Sequence, residues 1–463
     1  MSKQQMSNAD AAWLRMDRPT NHMVVNSVIW FDGPIDPERH RAVIRERLVE
    51  RFPRFGQRIV EPRPVLGLPY WEDDPGFDLD RHIHRVAVPP PGDRVALQEL
   101  VGDLISTPLD RSKPLWDIYV IDGYGDGMAQ VTRTHHSLAD GIALARVLLS
   151  MTDGRPDAGV GSADGRRLSD GPLAAVGRPL AAGAHLVDAA VHEGVELVTH
   201  PASELRGLAA TTAQDSRALA KLLFTPPDRD SPLRGPLGGR QRVAWTDGLS
   251  LEAIRATGQA TGTTVNDVLV AAVTGALRGH LIDRRGLIDE LRAMVPFNLR
   301  PLDQPLPREL GNRFGLVYLG LPVGIRGPRR RLDEVHRRMD AIKRSPEGAV
   351  AYGILGLLGL APPQIERRMI DLFSAKSTLV LTNVPGPRRP IYFAGARVAG
   401  IVAWVPAAGS IGIGVSIFSY DGRVTVGVRA DAGLIPEPQE IVDGIAHELE
   451  RMTRLGRRAP APL

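Results

Sequence analysis

The stretch His135-His136-Ser137-Leu138-Ala139-Asp140-Gly141 lies where a strand pattern gives way to a helix pattern. The second strand of a predicted hairpin, Ala129–Thr134, runs directly into it, and a predicted helix, Ile142–Met151, follows it. Strand ends are where α/β proteins place their sites. An imidazole, with an ordinary pKa of about 6.5, can take a proton from a hydroxyl at neutral pH and return it to a leaving group. The stretch therefore predicts an acid–base site on a strand-to-helix loop.

Other chemistries fit the same chain poorly. The chain has no cysteine, which excludes thiolate nucleophiles, disulfides and cysteine-based zinc sites. It has no H-E-x-x-H pattern, and we expect no bound metal. It also lacks a G-x-S-x-G nucleophile turn and a G-x-x-x-x-G-K-[ST] phosphate loop. A pair of purely structural histidines remains the alternative to an acid–base site.

The composition is that of a globular protein with a substantial core, since 43% of the 463 residues are hydrophobic and 24% are charged. This balance excludes disordered, collagen-like and coiled-coil chains. The formal net charge of +4 favours anionic partners only mildly. Aromatic residues make up 5% and are not interleaved with the basic clusters, so no nucleic-acid partner is predicted.

Strand and helix patterns alternate in both halves of the chain, which predicts an α/β architecture of two similar lobes. A segment rich in glycine, serine and aspartate at 152–175 and a loop rich in proline and glycine near 226–239 separate the halves. We therefore predict an N-terminal lobe at 1–150, a crossover linker with helices at 151–240 and a C-terminal lobe at 241–463.

The sequence predicts neither a signal peptide nor a transmembrane helix. The first apolar run, Met23–Trp30, has no basic leader. Val398–Ser419 has 22 residues without a charge, but Pro406 and four glycines favour two buried strands joined by a turn at 406–409. These features predict a cytoplasmic protein.

The heptad His135–Gly141 resembles the HHxxxDG motif of CoA-dependent acyltransferases, a superfamily that includes chloramphenicol acetyltransferase-like enzymes and condensation domains. Further motifs follow the chain in this order: Ser7-Asn-Ala-Asp10, Pro114-Leu115-Trp116, Asn266-Asp267, Asn383-Val-Pro-Gly-Pro387 and Ser419-Tyr420-Asp421-Gly422. In this order and at these distances, they resemble the bacterial wax ester synthase/diacylglycerol acyltransferase family over nearly the whole chain.

The resemblance implies two chloramphenicol acetyltransferase-like lobes, each a mixed sheet flanked by helices, with the active site between them. It implies transfer of a fatty acyl group from acyl-CoA to diacylglycerol or to a long-chain alcohol, with acyl-CoA as co-substrate and no cofactor. His136 would be the general base and would act without a covalent acyl-enzyme. The apolar substrates add the expectation of peripheral association with the inner membrane or with lipid droplets.

The resemblance also assigns roles around the base. His135 and Asp140 would fix the loop and the orientation of the ring, and Gly141 would allow close backbone approach. Asp140 could orient the imidazole itself or hold the loop through an arginine, for which Arg300 is one candidate.

Asn266 and Asp267 follow Thr264 in a pattern that resembles a capping box, which predicts a structural role for Asp267 at a helix start. By the resemblance, Asn266 faces the site from the second lobe and could donate its amide to the developing oxyanion. Pro114-Leu115-Trp116 predicts packing at the start of a strand, because proline fixes the entry of the chain and tryptophan buries a large area.

Several questions stay open at the level of sequence. Basic candidates for CoA are 329–331 and 388–389, although such runs are more often solvated surface. His22 could be a second polar group near the acceptor or an ordinary loop histidine. Two other functions remain: the same chemistry on a different hydroxyl acceptor, and a non-catalytic protein that binds lipid droplets or membranes. The intact histidines and Asp140 argue against the second.

Overall fold

The computed structural model describes residues 3–62, 67–161, 220–299, 306–358 and 363–458. The strands, numbered along the chain, are β1 Lys3–Gln5, β2 Val24–Phe31, β3 Gln57–Val60, β4 Tyr70–Asp73, β5 Ile83–Ala87, β6 Trp116–Tyr124, β7 Gly127–His135, β8 Gln241–Trp245, β9 Leu249–Ser250, β10 Leu291–Asn298, β11 Phe314–Leu321, β12 Leu379–Pro385, β13 Tyr392–Phe393, β14 Ala396–Trp404, β15 Ile413–Tyr420 and β16 Arg423–Asp431. The helices are α1 Asn8–Met16, α2 Pro37–Val43, α3 Arg94–Ile105, α4 Gly141–Ser150, α5 Leu251–Thr261, α6 Val265–Asp283, α7 Pro328–Lys343, α8 Glu347–Leu358, α9 Pro363–Ser374 and α10 Gln439–Arg458. The predicted α/β class is confirmed.

The first large sheet has the strand order β13-β14-β2-β7-β6-β5. The predicted hairpin is present as β6 and β7, which pair antiparallel, and β5 adds a parallel strand at the edge. β7 ends at His135 in the middle of this sheet, so the following loop starts from a strand with a neighbour on each side.

The second large sheet has the order β11-β10-β12-β15-β16-β8, with β9 paired to β16. β10, β12 and β15 run parallel in its centre, and the outer pairs are antiparallel. Its apolar side chains pack against α6, α7 and α10 in one core cluster, as expected for a mixed sheet covered by helices.

The uncharged stretch Val398–Ser419 forms two buried strands, as predicted, but the two strands belong to different sheets. β14 pairs with β2 in the first sheet, whereas β15 pairs with β12 and β16 in the second. The segment 241–463 therefore contributes β13 and β14 to the sheet that otherwise comes from the first 135 residues. The predicted lobe boundaries stay a prediction, because part of the crossover, 162–219, lies outside the described residues.

In the part of the chain that the structure describes, one helix is long and apolar enough to cross a bilayer. This helix is α6, and 78% of its apolar window is buried inside the protein. That burial is typical of a core helix covered by neighbouring elements.

Candidate active site

The loop between β7 and α4 is held at its helical end by Asp140. The Oδ1 atom of Asp140 accepts the backbone N–H of Ala143 at 2.8 Å, which makes Asp140 the N-cap of α4. Its Oδ2 atom accepts the backbone N–H of Arg313 at 3.1 Å. Asp140 thus holds the loop through a cap and a backbone contact with the second half of the chain. Arg300, one candidate for a guanidinium partner of Asp140, lies outside the described residues.

His136 is almost fully buried, with 2% of its surface exposed. Its backbone N–H donates to the carbonyl of Met23 at 2.7 Å, and its own carbonyl accepts the side-chain amide of Asn312 at 2.8 Å. The ring stacks on the indole of Trp13 with a centroid distance of 4.1 Å, and Phe314 lies 5.4 Å away at a tilt. The Nδ1 atom is buried and has no hydrogen-bond partner among the described residues.

Burial lowers the pKa of the His136 imidazole to about 4, because an imidazolium loses its hydration there, while the nearby Asp140 carboxylate and the Asn312 amide oppose the shift. The ring is therefore neutral at physiological pH. A neutral imidazole carries the lone pair that a general base requires.

His135 is also buried, and its ring is used inside the loop. Ser137 donates its backbone N–H to His135 Nδ1 at 3.2 Å, and the hydroxyl of Ser137 lies 2.9 Å from the same nitrogen. Burial lowers the pKa of His135 to about 3. These contacts fit the structural role implied for this histidine.

Sequence reasoning missed Asn312, which links the loop to the N-terminus. Its Nδ2 atom donates to Asp10 Oδ1 at 2.7 Å and to the His136 carbonyl at 2.8 Å, and its backbone N–H also donates to Asp10. Asp10 in turn belongs to the Ser7-Asn-Ala-Asp10 motif, in which Ser7 caps α1. The only local signal at Asn312 is a Gly-Asn pair just before a strand, which by itself predicts a turn.

The segment 310–313 runs beside the loop as a strap from the second half of the chain. The backbone N–H of Gly311 donates to the Leu138 carbonyl at 3.3 Å, next to the contacts of Asn312 and Arg313 already described. Leu310 and Gly311 both have positive φ angles, 52° and 84°. A left-handed leucine is strained, and such strain persists only where surrounding contacts impose it.

The packing residues lie where the sequence suggested. Trp116 is fully buried at the start of β6, donates its indole N–H to the Phe55 carbonyl at 2.8 Å and stacks on His82. Leu115 is buried and its carbonyl accepts the N–H of His135, which ties Pro114-Leu115-Trp116 to the site. A Cβ on Gly141 would come within 2.9 Å of Val405, so this position needs glycine for close approach.

The structure places Asn266 at the start of α6, outside direct contact with the histidine loop in the described ranges. The Asn266 Oδ1 atom accepts the side-chain amide of Asn383 at 2.7 Å, so the Asn266 amide hydrogens remain for another acceptor. Asn383, which the sequence indicated only as part of a motif, lies near the end of β12 and orients Asn266.

Asp267 takes part in the start of α6. It is fully buried and forms the predicted capping box with Thr264, whose side chain accepts the Asp267 N–H at 3.2 Å. The Asp267 carboxylate also accepts the Thr264 N–H and pairs with His336 at 2.7 Å.

The basic candidates for CoA differ in exposure. Arg331 is 1% exposed and pairs with Glu448, so it fits neither alternative given for the run 329–331, a contact with CoA or solvated surface. The ion pair of its guanidinium with Glu448 joins α7 to α10. Arg329 pairs with Asp333, whereas Arg388 and Arg389 are exposed.

His22 lies 3.7 Å from Asp17, whose carboxylate also accepts the N–H of Met23 at 2.8 Å. It is therefore near the chain that enters β2, and its proposed contact with an acceptor stays a prediction. Within the described segments, no cluster of three or more His, Asp and Glu side chains could hold a metal ion.

Comparison with known families covers most of the chain. Residues 6–269 match the wax ester synthase/diacylglycerol acyltransferase catalytic domain, and residues 310–453 match the C-terminal domain of the same family. A probable diacylglycerol O-acyltransferase of Mycobacterium tuberculosis is 29% identical over 470 residues, covering 98% of this chain and 96% of the relative. A second one from the same species is 29% identical and covers 95% and 97%.

Solved structures share the fold. A wax ester synthase/diacylglycerol acyltransferase from Marinobacter aquaeolei VT8 matches with a TM-score of 0.69 and 24% identity, covering 98% of this chain and 100% of the other. The first condensation domain of the calcium-dependent antibiotic synthetase matches with a TM-score of 0.60 and 17% identity, covering 99% and 97%. These likenesses confirm the predicted two-lobed arrangement of mixed sheets and helices.

Proposed function

Because this chain belongs to the wax ester synthase/diacylglycerol acyltransferase family, we propose that it moves a fatty acyl group from acyl-CoA to diacylglycerol or to a long-chain alcohol. The observation that carries the proposal is the buried, neutral His136 on the HHxxxDG loop. A non-catalytic lipid-binding protein would gain nothing from a buried imidazole whose loop is fixed by hydrogen bonds to Met23 and from the strap 310–313.

His136 acts as the general base in this mechanism. Its Nε2 atom takes the proton of the acceptor hydroxyl, since Nδ1 is buried against the protein. The acceptor oxygen forms a bond to the thioester carbonyl carbon, and collapse of the tetrahedral intermediate breaks the carbon–sulfur bond. The imidazolium then returns its proton to the CoA thiolate. No cofactor is needed for these steps, and the absence of cysteine fits direct transfer without an acylated thiol.

Two further groups stabilise the charges that develop on His136 and on the thioester oxygen during the reaction. The Asp140 carboxylate favours the imidazolium form of His136. The amide of Asn266, oriented by Asn383, donates to the oxyanion of the tetrahedral intermediate. A preorganised donor of this kind typically lowers the barrier by about 3 kcal/mol.

The acceptor reaches the site from a lipid surface inside the cell, such as the inner membrane or a lipid droplet. α9 exposes Ile365 and Leu372, which are 54% and 42% accessible, beside the exposed Arg367 and Arg368. On the inner side of the same helix, Ile370 packs in one apolar cluster with Trp13, the stacking partner of His136. Basic side chains around apolar ones favour an anionic lipid surface.

The test measures CoA release from palmitoyl-CoA, with diolein or hexadecanol presented in vesicles that contain anionic lipid. We expect both release of CoA and sedimentation of the protein with the vesicles. The substitution His136→Gln should lower the rate at least about 1,000-fold, because general-base catalysis contributes up to about 10⁴-fold. The control is His447→Gln, a histidine on the exposed face of α10, which should transfer at the normal rate.

The outcomes separate the alternatives. Equal rates in the His136→Gln and unsubstituted proteins would refute the assigned base. Sedimentation without any CoA release would support the non-catalytic protein. CoA release only with other hydroxyl compounds in an acceptor panel would assign a different acceptor to the same chemistry.

A further inference from the structure

One face of the His136 ring is covered by the indole of Trp13. The two rings are stacked, with 4.1 Å between centroids and 27° between planes. Trp13 comes from α1, far from β7 in the sequence, and is 4% exposed. Phe314 of β11 completes the aromatic enclosure, 5.6 Å from Trp13 and 5.4 Å from His136.

Among the residues that the structure describes, few charged groups face this ring. From the loop side, Asp140 favours the imidazolium, and the adjacent His135, whose pKa burial lowers to about 3, is uncharged while His136 titrates. From the strap, Asn312 is neutral and reaches the His136 carbonyl, with Asp10 behind it. From α1 and β11, the neighbours are the uncharged rings of Trp13 and Phe314.

The Asp140 charge is already shared. Its two oxygens accept the backbone N–H groups of Ala143 and Arg313. Donors to a carboxylate reduce the field that it offers to a third group. A cation that forms on His136 therefore depends strongly on what covers the ring face, and an indole has the most negative face of the natural side chains.

We propose that Trp13 is a positioning residue for the base: its indole holds the plane of the His136 ring and stabilises the imidazolium that forms during acyl transfer. This rests on the proposed acyltransferase function. The indole packs against the neutral ring and the cation alike, but the cation gains an additional electrostatic attraction to its π face. Trp13 thus acts on the transition state more than on substrate binding, which predicts a change in kcat with little change in KM.

The size of the effect follows from the ring type. A desolvated cation–π contact corresponds to roughly tenfold to thirtyfold in an equilibrium. Trp13→Leu should therefore lower kcat about tenfold or more, and Trp13→Phe, which keeps a weaker aromatic face, should lower it about threefold. KM for acyl-CoA and for the acceptor should stay within about twofold in both variants.

A spectroscopic measurement tests the same inference without substrate. Histidine labelled with ¹³C at Cε1 gives one NMR signal per imidazole, and His136→Gln identifies the signal of His136. Between pH 7.5 and 4.5, the unsubstituted protein should show the onset of protonation at His136. In Trp13→Leu, the protonated fraction at pH 4.5 should be at least about threefold smaller.

The matched control is Trp245→Leu. Trp245 is equally buried and stacks on Trp30, in a cluster that does not include His136. Trp245→Leu removes the same side-chain volume as Trp13→Leu, so it should lower the melting temperature. It should leave both kcat and the His136 NMR signal unchanged.

The inference is overturned if Trp13→Leu keeps the normal kcat and the normal onset of protonation, or if Trp245→Leu lowers kcat as much. Should the leucine variant fail to fold, Trp13→Phe decides, and an unchanged kcat there would contradict the inference. Failure of the proposed function looks different, because the unsubstituted protein would then release no CoA while the NMR comparison still reports on the stacked pair.

Discussion

At the scale of single residues, the hydrogen bonds of the His136 backbone position the base as much as the contacts of its ring do. The peptide of His136 is bound on one side by Met23 and on the other by Asn312. Asn312 is held in turn by the buried Asp10, which accepts two of its N–H groups. The position of the imidazole therefore depends on an amide 176 residues away along the chain.

We predict that Asn312→Ala lowers kcat about tenfold to a hundredfold with little change in KM. The variant removes the side-chain donor to the His136 carbonyl and one donor to Asp10, each worth about 1 kcal/mol or more when buried. Steady-state kinetics at pH 7.5 and a thermal melt provide the measurement. Asn26→Ala serves as control, since Asn26 is equally buried but donates to Val24 within β2. A similar loss of kcat in both variants would show that general destabilisation explains the effect.

At the scale of elements, the start of α6 contains residues with two different tasks. Thr264 and Asp267 cap the helix, whereas Asn266 is the proposed oxyanion donor. Thr264 and Asp267 satisfy each other's backbone N–H groups in the capping box. Asn266, between them, instead turns its amide group toward Asn383 at the end of β12. The helix start thus holds Asn266 without using its side chain.

Two substitutions at the start of α6 should therefore behave differently. Asn266→Ala should lower kcat about a hundredfold, the usual effect of removing one oxyanion donor, with a small effect on stability. Thr264→Ala should lower the free energy of unfolding by about 1 kcal/mol and leave kcat nearly unchanged. Urea unfolding and acyl-transfer kinetics on both variants test this pair. An intact rate in Asn266→Ala would remove Asn266 from the mechanism.

At the scale of the whole molecule, the two halves of the chain are interleaved and not simply adjacent. β14 completes the first sheet from within the second half, and the strap 310–313 binds the histidine loop that belongs to the first half. Separate expression of residues 1–150 would leave β2 without one neighbour and the loop without its donors. The interleaving makes the site a property of the complete fold.

The buried histidines give the whole protein an acid-sensitive stability. Burial lowers the pKa of His82 and His136 to about 4 and that of His135 to about 3. Their contribution to the free energy of unfolding is fully present above the unfolded pKa of about 6.5. It is lost as the pH falls toward the folded pKa values, because the unfolded chain then binds protons that the buried histidines do not bind. Each such histidine should lower the free energy of unfolding by about 2 kcal/mol between pH 7.5 and 5.

Urea unfolding at pH 7.5 and 5 measures this loss. We expect His136→Gln to lose about 2 kcal/mol less than the unsubstituted protein over this interval, whatever its stability at pH 7.5. The exposed His447 provides the comparison, since His447→Gln should follow the unsubstituted protein. An unaltered pH dependence in His136→Gln would mean that this ring is not held neutral by burial.

The elements of the fold were predictable where their cause is local. The hairpin β6–β7, the Asp36 cap of α2 and the Thr264 capping box each depend on residues within a few positions of one another. The sheet membership of β14 was not predictable, because an uncharged strand carries the same pattern whichever buried sheet it joins. The burial of Arg331 was missed for a similar reason: its partner, Glu448, is 117 residues away.

The sequence by itself determined the HHxxxDG loop, the strand-to-helix geometry around it, the family, and hence the acyl-transfer chemistry. These depend on short-range order, where neighbouring residues set dihedral angles, caps and periodicity. Only the tertiary structure decided which side chains enclose the base: Trp13 and Phe314 on its ring, and Asn312 on its peptide. Those contacts join residues more than 100 positions apart, and only chain packing brings such residues together.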